Sequence, residues 1–154
     1  MYLLSIICVI VVTGGMCVIG FGMAGSYLGL VDVYTFLFLL LFLIPLLISG
    51  GLLKDFNNAF RLVIGKKKAA SLIELKRAKE SVSLTIKILL TASVFINAVE
   101  GVLVLLNVDD LAFLGPNFSV TMIAFIYGFG IILILLPLQS RLNIKIQEFI
   151  SEKE

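Results

Sequence analysis

ILLTASVFINAVEGVLVLL, residues 88–106, holds an amide and a carboxylate, Asn97 and Glu100, inside an otherwise mostly apolar run. Nineteen residues of α-helix rise about 28 Å, close to the ~30 Å hydrocarbon core of a bilayer. A charged side chain placed in such a helix costs roughly 2.5–3.5 kcal/mol even on the mildest insertion scales, so it faces a bundle interior, an aqueous cavity or another chain. Ser93, Asn97 and Glu100 follow i, i+4, i+7 and therefore share one helix face, which cannot look at lipid.

Working outward, three more apolar stretches of similar length can be drawn, residues 2–21, 35–53 and 118–138. The chain of 154 residues is 60% hydrophobic and 14% charged, with a mean hydropathy of +1.16. These values predict an all-α, four-transmembrane-helix integral membrane protein forming a single membrane domain over residues 1–154. The first stretch lacks the basic flank of a secretory leader and is too long for its apolar segment, so it is read as a span.

Lysine and arginine set the expected orientation. Nine lie between Lys54 and Lys87, and Arg141, Lys145 and Lys153 lie in the tail. By the positive-inside rule, a cytoplasmic linker at residues 54–87, the tail at 139–154 and both termini face the cytoplasm. Residues 22–34 and 107–117 then face outward, contributing only the acids Asp32, Asp109 and Asp110. The expected location is the cell inner membrane. The net charge of +2 reflects this topology and contact with anionic lipid, not nucleic acid.

Within the linker, Gly65 and Lys66-Lys67-Lys68 predict a turn at the membrane surface, and Lys76/Glu80 at i, i+4 predict a solvated helix running into the third span. Cys8 and Cys17 lie nine residues apart on opposite sides of the first span, which excludes a disulfide between them and leaves them as small packing residues. The chain has no histidine. Enzyme activity, a metal site and a cofactor are not expected. Gly14, Gly15, Gly20, Gly22 and Gly25 predict close helix packing, and Pro45 a kink in the second span.

Asn117, Thr121, Ala124 and Gly128 make a second small or polar stripe on the last span. Glu100 and Ala124 each lie seven residues in from an outer end, about 10 Å deep, so the two stripes are expected to face one cavity at the same level. Glu100 is then either a protonated hydrogen-bonding link between helices, or an ion-accessible carboxylate or contact to another subunit.

NVDDLAFLGP at Asn107–Pro116, followed by Ser119–Gly128 and by LPLQSRL at Leu136–Leu142, resembles the last two helices of MotA-type flagellar stator proteins. Ser26-Tyr27, Val31-Asp32 and Leu53-Lys54-Asp55-Phe56-Asn57-Asn58-Ala59 are similar to that family's outer loop and following cytoplasmic segment. The resemblance, within the MotA/TolQ/ExbB proton-channel superfamily, covers most of the chain. It implies a cyclic homo-oligomer, a pentamer, around a dimer of a single-span MotB or ExbD-like partner. It also implies H+ or Na+ flow that drives motion, with the last two helices on the inner surface. Ser93, Asn97, Glu100, Thr121 and Ala124 would face the ion path or partner.

The chain departs from the family pattern in three places. Ala124 and Phe125 stand before Ile126-Tyr127-Gly128 where a threonine pair is usual, Glu100 has no counterpart, and the large cytoplasmic domain is reduced to residues 54–87. A non-conducting scaffold of the same ring architecture therefore stays open. A small multidrug-type exporter is the remaining alternative, although its membrane glutamate belongs in the first helix, where residues 2–21 hold no acid.

Overall fold

The computed structural model describes residues 6–12, 14, 32–64, 71–107 and 111–152, which are helical apart from short turns and contain no strand. The helices are α1 (Val33–Ser49), α2 (Leu53–Val63), α3 (Leu72–Asn107), α4 (Leu114–Thr121, entered through a 3-10 turn at Leu111–Phe113) and α5 (Ile123–Ser151). Residues 6–12 are also helical. Of the residues expected to matter, Gly15, Cys17, Gly20, Gly22, Gly25, Ser26, Tyr27, Val31, Gly65, Lys66, Lys67, Lys68, Asp109, Asp110 and Lys153 lie outside the described set.

α3, and α4 with α5 as one stretch Leu114–Ser151, are long and apolar enough to cross a membrane. They contain the expected spans 88–106 and 118–138. α1 and α2 pass the same test only as a pair bent by 98°. Among the described residues there are thus two or three candidate spans, and most of the first expected span, 2–21, falls outside them. Cys8 and Gly14 are both exposed, and a Cβ added at Gly14 would meet nothing within 4 Å.

The bend after α1 follows from its last residues. Gly51, at φ +63°, occupies the left-handed region. Its N–H donates to the Ile48 carbonyl at 2.9 Å and the Leu52 N–H to the Leu47 carbonyl at 3.0 Å, a Schellman closure that satisfies the terminal carbonyls. Nothing lies within 4 Å of a Cβ built at Gly51, so substitution there meets backbone strain alone. Gly51→Ala is expected to lower stability by about 1–2 kcal/mol, read from the denaturation midpoint, with Gly51→Asn losing less.

α2 folds back onto the base of the bundle because it is amphipathic. Ala59 and Leu62 are fully buried, in a cluster with Leu75, Ala78 and Val82 of α3 and Leu138 and Leu142 of α5. Its polar residues Lys54, Asn57 and Arg61 stay exposed. The Arg77 guanidinium reaches Asp55 at 2.9 Å and the Gly51 carbonyl at 3.2 Å, and the Asn58 amide donates to Glu74 at 2.8 Å. The Lys145 ammonium donates to the Leu62 carbonyl. Exposed ion pairs contribute little, so the apolar face supplies most of the attachment. Residues 54–63, the start of the expected helical linker, form a helix whose apolar face joins the core.

α3 begins at a capping serine: the Ser71 hydroxyl accepts the Glu74 N–H at 3.2 Å. It then runs 36 residues without proline. Residues 72–87 and 88–106 form one helix, and Lys76 and Glu80 are exposed on it. α3 packs chiefly on α5, where Leu89, Ala92 and Ile96 share a core with Ala124, Ile132 and Leu135.

Candidate functional site

The glutamate in the α3 membrane segment finds its neighbours on α1. Asp32 is the N-cap of α1, its carboxylate accepting the Tyr34 N–H at 3.0 Å. One turn on, the Thr35 hydroxyl lies 2.6 Å from Asp32 Oδ2, to which it donates, and 3.4 Å from Glu100 Oε1. A hydroxyl carries one proton. With that proton on Asp32, the longer contact is a hydrogen bond when the Glu100 carboxyl itself carries a proton and donates.

Tyr127 of α5 completes this corner. Its hydroxyl accepts the Asp32 N–H at 2.9 Å, and its ring stands edge-on to Phe36 at 6.2 Å. Asp32, Thr35, Glu100 and Tyr127 thereby join three helices where α1 begins. Thr35 is 1% exposed and Glu100 half-buried.

The other carboxyl oxygen, Glu100 Oε2, is buried and has no hydrogen-bond partner among the described residues. Glu100 also lines an open groove of about 320 Å³ with Leu103 and Val104 of α3 and Asn117, Val120 and Thr121 of α4. An unpaired buried acceptor costs about 1–3 kcal/mol. A proton, a cation or a donor from another chain entering the groove would offset that cost.

Asn97 answers a different need. At Met122 the last span tightens: the Phe125 N–H turns to the Met122 carbonyl at 3.1 Å. The Thr121 carbonyl is left to other donors, and the Asn97 amide fills it at 2.9 Å. The same amide lies 3.6 Å from Met122 Sδ. This amide holds the α4–α5 junction together.

Ser93 is turned inward on itself, its hydroxyl donating to the Leu89 carbonyl at 2.7 Å. A methyl on Gly128 would strike that hydroxyl and lie 2.9 Å from Ser93 Cβ. Ser93 and Ala124 are each 0% exposed. Within one chain, then, Ser93, Ala124 and Gly128 form a close helix contact at this level. A groove lies beside it, lined by Glu100, Thr121 and the exposed Asn117.

Asp32 and Thr35 are the partners that helix periodicity on the last two spans did not point to. An aspartate immediately before the apolar run was a readable signal for an N-cap. Among the described residues no group of three or more metal-ligating side chains is found. No family model matches the chain, and neither a curated protein nor a solved structure matches it.

Proposed function

We propose that this chain is the ring-forming subunit of an ion-gradient-driven inner-membrane complex, a miniature of the MotA type, that energises a single-span MotB or ExbD-like partner. The observation that carries this reading is Glu100: a carboxyl in a membrane-length helix, near a second acid, with one buried oxygen lacking a partner among the described residues, on a residue that lines a groove. Intramembrane acids in such positions mark ion paths or partner contacts. The distribution of lysine and arginine supports cytoplasmic termini, which puts the acid corner near the outer side. H+ and Na+ are both compatible with a carboxylate pair.

Much apolar surface of α1 and α3 is exposed in the single chain, including Phe38, Leu41, Val94 and Phe95, as expected for helices that meet lipid or further copies. In mild detergent the complex purified through this chain is expected to have a mass of several times 16.8 kDa, about five copies plus two of a smaller partner, closed as a ring. Native mass measurement checks this. A stable monomer with nothing bound would remove the ring and the motor together.

A non-conducting scaffold is the second reading. The fully buried Ala124 and the close Ser93–Gly128 contact favour it, because the level at which the resembling family carries hydroxyls is closely packed here within one chain.

A further inference from the structure

Between α1 and α3, at the end opposite Glu100, lies a groove of about 650 Å³. Its walls are Phe42 and Leu46 on one side and Leu84, Ile88 and Phe95 on the other. The Phe42 and Phe95 rings meet edge-on at 5.9 Å and close its deep end. Lys87 lines the opposite end. We propose that this groove binds one acyl chain of an anionic phospholipid, with the headgroup phosphate on the Lys87 ammonium.

The groove is open and lined chiefly by apolar side chains, as contact with an acyl chain requires. Charge favours an anionic headgroup. Lys87 is exposed and makes no ion pair among the described residues, and no charge follows it until Glu100. It therefore sits where the apolar run 88–99 begins, the depth of the headgroups for a helix that spans. At the nearby end of α1 the Leu46, Leu47 and Ile48 carbonyls are taken by backbone N–H groups of residues 50–52. The Thr91 hydroxyl donates to the Lys87 carbonyl at 2.9 Å, so it leaves the ammonium free.

The chain contains no tryptophan, so a single introduced indole is a clean probe. Phe95→Trp in the otherwise full-length protein is placed in vesicles of phosphatidylcholine and phosphatidylglycerol, with bromine on the acyl chains of one lipid at a time. Quenching is expected to show about a fivefold preference for phosphatidylglycerol, the size that one basic side chain near a membrane gives. Lys87→Gln should bring the ratio to about one, and Lys87→Arg should keep it. Leu133→Trp, on the exposed side of α5, should show no preference in either background. Equal quenching of Phe95→Trp by both lipids would reduce the groove to ordinary lipid contact. Absence of quenching would assign it to protein, either the first span or a second copy. Either result overturns the proposal.

Discussion

Gly128→Val is expected to separate α3 from α5 and to produce the largest loss of stability of any single change on the bundle's apolar side. A Cβ at Gly128 falls on the Ser93 hydroxyl, 2.9 Å from Ser93 Cβ and 3.4 Å from the Leu89 carbonyl. The hydroxyl can swing to another rotamer, but the Cβ is fixed to the backbone and moves only if the helices part. Overpacking of this kind costs about 1–3 kcal/mol for the smaller Gly128→Ala, and valine adds two further methyls to the same gap. Ser93→Gly removes both obstructing atoms, so Gly128→Ala on that background should recover at least ~1 kcal/mol of the loss. Reversible unfolding in mixed detergent measures all four corners of the cycle. Strict additivity would mean that the close approach of the two helices is not where their packing is decided.

The second large effect is expected at Glu100. Glu100→Gln keeps the shape of the side chain and a donor for Thr35, yet removes its titratable proton. In vesicles holding the complex purified through this chain, ion uptake under an imposed gradient should fall to that of empty vesicles, while the ring stays assembled. Glu100→Ala should lose uptake too. It also strips the contact to Thr35 within the chain, which should lower the stability of the fold by about 1–3 kcal/mol. Asp32→Asn separates charge from capping, because asparagine caps a helix as well as aspartate does. It should lower uptake with little effect on stability. A silent Glu100→Gln beside a weakened Glu100→Ala would make the carboxyl a structural link and favour the scaffold. Normal behaviour of both would leave Glu100 with neither role.

The periodicity of residues 88–106 was enough to place Ser93, Asn97 and Glu100 on one face and to demand partners for the polar ones. It could not choose those partners. Asn97 meets a carbonyl exposed by the tightening at Met122, a backbone event with no proline or glycine at that residue to announce it. Glu100 meets Thr35 and Asp32, 65 and 68 residues away, because α1 starts at the level of Glu100 instead of at the end of α3. Residues 54–63 were legible as the helical start of a basic linker, but it was not legible that Phe56, Ala59, Phe60 and Leu62 form a face packed onto the bundle. The membrane class was legible because it rests on summed hydropathy, to which no single contact matters.

α3 is about 54 Å long by its 36 residues, against a hydrocarbon thickness of ~30 Å. It contains no proline, whereas α1 carries Pro45, α5 carries Pro137 and the α4–α5 junction is tightened at Met122. α3 therefore runs as one uninterrupted helix from the acid corner at Glu100 to the Arg77–Asp55 clasp and the folded-back α2. On the function proposed above, a tilt imposed at one membrane face would be carried by this single helix to a charged surface at the other.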